Sequence, residues 1–393
     1  MFKIKCLNKI LNHFVYIYIK VKYPKNQIYK YKKFLNKETK TKKALISYLV
    51  DPIIFYPKTS QFSNHGIARC LPRALNELGY IVDIINWKDT SFIPYEKYDL
   101  FIAHGAINFD NIYSHLSPSC LIIYLSTGNY WKFNNSQENN RLDDLEKRKG
   151  VRLPNDRYIS ISEDRAHRLS NGIITFGDKS AIIPYNDDGL YNIVTIPNAA
   201  YPDFKSIQIK RDFKNARNNF LFFSGSGNVH KGLDLLLEVF SRSNKHLYIM
   251  TSMDIDFVKL YEKELKLPNI HLIGWVKMRS QKYYDIMEKC GFIIHPSSSD
   301  GSAGSVIEAM QQGLIPIVSK ETRIDISDFG FIIEPCTQYE IEKLIRNIDN
   351  LKTEDLEKKS KILPSIIRER FSPDVFISNL KKCIEEITNK YSK

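Results

Sequence analysis

Two carboxylates, Asp300 and Glu308, bracket a run of small residues in His295-Pro296-Ser297-Ser298-Ser299-Asp300-Gly301-Ser302-Ala303-Gly304-Ser305-Val306-Ile307-Glu308-Ala309-Met310. The pattern reads as a strand ending at Pro296, a loop, and a helix opening near Gly304. Small side chains at Gly301, Ser302, Ala303, Gly304 and Ser305 let a diphosphate approach the backbone, and the amides of a helix's first turn point at it. Glu308 falls about one turn into that helix, where it can reach past the phosphates to a pair of vicinal hydroxyls. No His or Cys accompanies the carboxylates in ligand spacing, so they suit sugar hydroxyls better than a metal.

A second glycine-rich stretch, Ser224-Gly225-Ser226-Gly227-Asn228-Val229-His230-Lys231-Gly232, joins an apolar run to a helical one that begins at Leu233. Alone, such a turn is unspecific, and it lacks the Lys-Ser/Thr ending of a P-loop. Lys231 reads either as a phosphate-facing cation or as a solvated lysine at a helix start. His230 reads as structural or peripheral. Asp254-Ile255-Asp256 invites a divalent cation, but its place at the start of a helix makes capping the better explanation. No metal is assigned.

Both loops belong to a repeating strand–helix rhythm. Strand-like runs occur at 44–50, 80–85, 100–104, 121–126 and 192–197, with a helical stretch from Ser63 to Gly79 and a polar one over 137–149 that ends at Gly150. The rhythm restarts with strands at 219–223, 247–251, 270–273, 292–296 and 315–318 and a helix at 233–240. This predicts two doubly wound α/β units with parallel sheets covered on both faces, joined within 198–218. In such sheets ligands sit at the carboxyl ends of strands, where both glycine-rich turns fall. The stretch 373–390 predicts a last amphipathic helix with Ser372 as N-cap, burying Phe376, Leu380, Cys383, Ile384 and Ile387.

The segment from Asp300 onward resembles the signature of the retaining glycosyltransferases of family 4, which belong to the group 1 glycosyltransferases and have the GT-B fold. Asp300 takes the first acidic position, Glu308 the second, and Ala309-Met310 and Gly313-Leu314-Ile315-Pro316-Ile317-Val318 continue the motif. The resemblance implies two Rossmann-like doubly wound domains facing a cleft: an acceptor-side domain over 44–200 and a nucleotide-sugar domain over 201–372. A basic amphipathic extension (1–43) precedes them, and a C-terminal helix (373–393) crosses back. It implies that Glu308 binds the nucleotide ribose hydroxyls, Asp300 the transferred sugar, and the Gly304 and Ser305 amides the diphosphate. The turn at Gly225 is similar to the family's Gly-Arg…Lys-Gly loop. Lys231 matches the Lys, and Ser226 stands where the family has Arg. Asn64-His65-Gly66-Ile67-Ala68-Arg69 resembles the glycine loop that closes over the donor. His104-Gly105 and Thr127-Gly128 end strands that face the same cleft. Gly66, His104, Gly105 and Thr127 are thus candidates for contact with acceptor or donor sugar, while His65 and His104 read equally well as satisfied structural histidines. No general base stands out. Asp300 is one methylene shorter than the family's Glu, and the second glycine falls one position late, departures that bear on the sugar more than on the reaction.

The implied activity moves a sugar from a nucleotide diphospho-sugar to a hydroxyl of a glycan or lipid-linked glycan in cell-surface polysaccharide synthesis, with no cofactor and no metal. A nucleotide-sugar epimerase of the same fold and a catalytically weak, membrane- or polyanion-tethered relative are the alternatives.

The 393-residue chain, 43% hydrophobic and 26% charged, has room for two domains and no apolar run long enough to cross a bilayer. Its charge is uneven. Residues 1–43 hold thirteen Lys against one acidic residue, Glu38, so nearly all of the net +13 resides there. Leu7, Ile10, Leu11, Phe14, Ile17, Tyr18 and Val21 form a helical apolar stripe in this segment, and the stretch from Pro24 to Lys43 reads as a basic linker. Such a helix suits an anionic membrane surface, with a solvated extension as the competing reading. This places the protein in the cytoplasm, peripheral at the inner membrane face. Nucleic acid is disfavoured, since no Arg or binding motif accompanies the lysines. Six scattered cysteines without metal or Cys-x-x-Cys spacing read as reduced core thiols.

Overall fold

The computed structural model describes residues 29–31, 42–54, 63–200 and 211–391. Near-continuous apolar runs build its strands, as parallel sheets covered on both faces require. In the first unit β1 (Tyr29–Tyr31), β2 (Lys43–Tyr48), β3 (Ile81–Asn86), β4 (Leu100–Ala103), β5 (Leu121–Ser126), β6 (Gly172–Phe176) and β7 (Ile193–Ile196) form one sheet in the order β1-β3-β2-β4-β5-β6-β7. All its pairings are parallel except β1 with β3. The second sheet, wholly parallel, has the order β10-β9-β8-β11-β12-β13, from β8 (Asn219–Phe223), β9 (His246–Met250), β10 (Ile270–Leu272), β11 (Phe292–His295), β12 (Ile315–Ser319) and β13 (Phe331–Ile333). The GT-B architecture of two Rossmann-like units is therefore present.

Several expectations need correction. The basic linker is not uniformly a linker, because Tyr29–Tyr31 pairs antiparallel with β3 and forms the edge of the sheet, with Tyr29 opposite Ile84 and Tyr31 opposite Val82. The aromatic residues favour a strand, and the intervening Lys suits a sheet edge. The amphipathic helix expected before Pro24 lies outside the described residues. Strands β6 and β13 have no counterpart among the expected segments; β6 opens on Gly172, and a glycine weakens a strand pattern. The polar helix starts at Trp131, not near 137. Its added turn is held by tertiary bonds rather than by an apolar stripe: Asn135 Nδ2 donates to the Ile159 carbonyl (2.9 Å), and the Ile159 amide donates to Asn135 Oδ1 (2.8 Å).

Four helices carry the residues of the cleft and their supports: α1 (Ser63–Glu77), α2 (Trp131–Lys149), α3 (Leu233–Phe240) and α4 (Gly304–Gln311). The long α5 (Thr353–Phe371) ends the second unit, and Ser372 turns the chain into α6 (Pro373–Tyr391), its hydroxyl accepting from the Val375 amide at 3.4 Å. Helix α6 returns to the first unit. Phe376, Leu380, Cys383, Ile384 and Ile387 are buried as expected, with Ile377, in the same apolar cluster as Ile67, Leu71 and Ile174. The fit is close: a Cβ added at Gly172 of β6 would meet Ile387 Cγ2 at 2.7 Å. Leu380 is wholly buried, so Leu380→Ala is expected to cost about 2–5 kcal/mol, read as a lowered midpoint in denaturant unfolding.

Candidate functional site

The carboxyl ends of both sheets open on one cavity of about 780 Å³. Its position follows from the strand–turn–helix units. Strand β8 ends at Phe223, the glycine-rich turn follows, and α3 starts at Leu233 behind Gly232. Gly232 has φ +80, and a Cβ there would lie 2.4 Å from the Pro296 carbonyl oxygen, so only glycine lets the two loops touch. Strand β11 ends at His295, its loop crosses toward the first unit, and α4 begins at Gly304. At Gly301 a Cβ would meet Gly128 Cα at 2.7 Å, which is how closely the two units approach.

Lys231 and Asp300 are brought together by these two turns. Lys231 Nζ donates to Asp300 Oδ2 (2.7 Å) and to the Ser299 carbonyl (2.9 Å), with its side chain 7% exposed. His295 Nε2 lies 3.1 Å from the same carboxylate oxygen. Burial works against an ionised Asp300, yet the Lys231 ammonium and the His295 contact hold it well below the usual carboxylate range. Burial keeps His295 neutral at physiological pH, and since a carboxylate only accepts, Nε2 carries the ring proton. Glu308 is buried on α4 and lines the same cavity, with Arg279 Nη2 at 3.5 Å from Oε2. The Gly304 and Ser305 amides open α4 and have no carbonyl one turn back to accept them.

The residues singled out from the sequence fall into two groups. Gly225, Ser226, Lys231, Asp300, Gly301, Ala303, Gly304, Ser305 and Glu308 line the cavity with His104, Gly105 and Thr127. Ser302 and Gly66 do not. Ser302 adopts φ +56, and Asn198 latches it, donating from its amide to Oγ (3.3 Å) and from Nδ2 to the Ser302 carbonyl (3.0 Å). Gly66 lies inside α1, where an added Cβ would meet nothing within 4 Å; Asn64 reaches the cavity instead. His104 is fixed by the Leu125 carbonyl at Nδ1 (2.9 Å) and by edge contacts with Tyr48 and Trp87. His230 is structural: Nδ1 bonds Glu138 on α2 and Nε2 bonds the Ser299 carbonyl (2.9 Å), tying the units behind the site. Asp254 occupies an N-cap position, but its side chain makes no cap bond, so the capping expectation fails there. Among the described residues no group of three His, Cys, Asp or Glu could hold a metal ion.

Asn198, Arg157 and Glu163 are among the lining residues that had no mark in the sequence. Asn198 ends the first unit's last strand connection. Arg157 and Glu163 come from the loop after α2, whose residues reach the cleft only through tertiary packing. Burial pushes the Glu163 carboxyl up to about 7, against a hydrogen bond from Tyr124. A folded-state value above the unfolded one means that the folded protein holds the proton longer, so stability falls as pH rises from about 4.5 to about 7. Glu163→Gln is expected to flatten the melting temperature against pH over that window, a difference on the order of 3 kcal/mol. Parallel profiles would remove Glu163 as their cause.

Residues 204–362 match the family model described as glycosyl transferases group 1. The match falls on the second unit, from before β8 into α5. No curated protein matches the chain. Among solved structures, HepE from Anabaena, determined with UDP and glucose, superposes with a TM-score of 0.55 at 12% identity, over 88% of this chain and 100% of HepE. WaaG, a glycosyltransferase involved in lipopolysaccharide biosynthesis, gives 0.54 at 16% identity, over 86% of this chain and 98% of its own. TarM gives 0.52 at 16% identity over 72% of this chain, and this glycosyltransferase-like chain spans only 54% of TarM. At such identities the likeness shows the shared fold. The Asp300–Val318 resemblance lies inside the matched family segment.

Proposed function

We propose that this protein transfers a sugar, with retention of anomeric configuration, from a nucleotide diphospho-sugar to a hydroxyl of a glycan or lipid-linked glycan. One observation carries the reading: Glu308, the Lys231–Asp300 pair and the first amides of α4 converge on a single cavity between the two units. In this reading each has a distinct role. Glu308 accepts from the ribose hydroxyls. The Gly304 and Ser305 amides receive the diphosphate at the positive end of the helix. An ammonium has three N–H donors, and Lys231 spends two on Asp300 and Ser299, which leaves one for a phosphate oxygen. Asp300 uses Oδ2 for its partners and offers Oδ1 to a sugar hydroxyl.

In the reaction the bond from the anomeric carbon to the phosphate oxygen breaks and one to the acceptor oxygen forms on the same face. The acceptor's proton passes to the leaving phosphate. Lys231 and the amides stabilise the charge that grows on the leaving oxygens. The neighbours support the donor class, since HepE was determined with UDP and glucose. The Lys-rich stretch 1–43 would draw the enzyme to an anionic membrane bearing a lipid-linked acceptor.

Incubation with isotope-labelled UDP-, GDP- and ADP-sugars, with and without a lipid-linked glycan, tests the proposal. Acceptor-dependent release of the nucleoside diphosphate and an unchanged anomeric configuration in the product are expected. Release of a free epimer without acceptor would replace transfer by epimerisation, and no turnover with any donor would contradict both.

A further inference from the structure

The described residues that line the cavity include two Lys or Arg side chains, Lys231 and Arg157. Lys231 is paired with the Asp300 carboxylate, so it brings one N–H to the diphosphate but no net charge beyond that of its partner. A diphosphate with a negative charge on each phosphate calls for more. Arg157 belongs to the first unit, yet it lies directly over the second unit's glycine-rich turn. Its Nη1 donates to the neutral Ser226 hydroxyl (3.4 Å), and its Cγ is where a Cβ on Gly227 would strike, at 2.8 Å.

The backbone beneath this side chain is pinned from three directions. The Arg157 amide donates to Glu138 Oε1 (3.1 Å), and its carbonyl accepts from Asn134 Nδ2 (2.8 Å). Next to it, Asp156 Oδ2 accepts the Asn228 amide of the turn itself (3.2 Å). An exposed guanidinium on a fixed base, within a hydrogen bond of the loop that faces the phosphates, is placed to make a forked contact with phosphate oxygens.

We propose that Arg157 supplies, from across the cleft, the second cation for the donor's diphosphate, at the place where Ser226 leaves the glycine-rich turn uncharged. This rests on the donor reading above. The diphosphate is then gripped by both units, and donor binding depends on their closure. The contacts that order this loop use the Arg157 main chain, so side-chain variants keep them.

Calorimetric titration of the full chain with UDP, GDP and ADP tests the assignment, using wild type, Arg157→Ala, Arg157→Lys and the double variant Arg157→Ala/Ser226→Arg. The diphosphate that wild type binds best is expected to bind Arg157→Ala at least about tenfold more weakly, the size of one charge-assisted hydrogen bond. Arg157→Lys should fall between them, since it keeps the charge and loses the fork. The arginine placed on the turn in the double variant should restore most of the loss. Equal affinity of Arg157→Ala and wild type would overturn the role of Arg157 while leaving the donor reading intact. Failure of wild type to bind any of the three would overturn that reading, and this proposal with it.

Discussion

Lys231→Ala is expected to lower turnover about 10²–10³-fold, the usual cost of removing one donor aimed at charge that develops in the transition state. The leaving diphosphate gains charge as the anomeric bond breaks, so the loss should fall on kcat more than on donor affinity. The structure adds a second consequence. Without the ammonium, Asp300 keeps, among the described residues, only His295 as a polar side-chain partner at Oδ2. Breaking a fully buried pair from one side costs about 3–5 kcal/mol, and this one, with the Asp300 side chain 19% exposed to the cavity, should cost less. Turnover must therefore be measured per folded molecule, with an unfolding midpoint taken on the same sample. A fall in KM-type binding equal to the fall in kcat would reduce Lys231 to a ground-state contact. An unchanged midpoint would show that the pair contributes little to the fold.

Glu308→Gln should weaken donor binding by about 1.5–3 kcal/mol, roughly ten- to a hundredfold, because a carboxylate that accepts two ribose hydroxyls gives way to an amide that accepts less well. Glutamine keeps the volume of a side chain that is only 5% exposed, so α4 should stay in place. The contact with Arg279 loses its charge in the variant, which is why the nucleoside matters as a control. A ribose contact predicts weaker binding of the bare nucleoside as well as the diphosphate. Loss confined to the diphosphate would instead point to a rearranged Arg279, and unchanged affinity for both would remove Glu308 from the site.

What the sequence made legible is what is local to the chain. The apolar runs at β5 and β8 and the helix α3 coincide with the expected segments, because an uninterrupted run of large apolar residues has few other places to go. The stripe of α6 was legible for the same reason. Strand β6 opens on Gly172, whose place is set by Ile387 of α6 packing against it, and the first turn of α2 is stabilised by Asn135 reaching another loop. The same divide runs through the site. Lys231, Asp300 and Glu308 lie in motifs whose spacing has a mechanical reason, so each could be named from its own neighbourhood. Gly66 enters the candidate set through the resemblance of 64–69 to a donor loop and Ser302 through its neighbours, and a helix interior and an Asn198 latch take them out of the lining. Arg157 and Glu138 enter through contacts more than sixty residues long in the chain, Arg157 to Ser226 and Glu138 to His230, and Glu163 enters through Tyr124 of β5. No spacing within a motif could have shown them.

The central claim is that a nucleotide diphospho-sugar lies between the units, diphosphate on α4 and ribose on Glu308. A diffraction map from crystals grown with the best-binding donor tests this most directly. The account predicts density for the diphosphate at the Gly304 and Ser305 amides, with the ribose hydroxyls in hydrogen-bond reach of Glu308 and the sugar toward Asp300. Donor density elsewhere, as in the hollow lined by Arg141, Arg148 and Tyr339, with the α4 amides left bare, would contradict it.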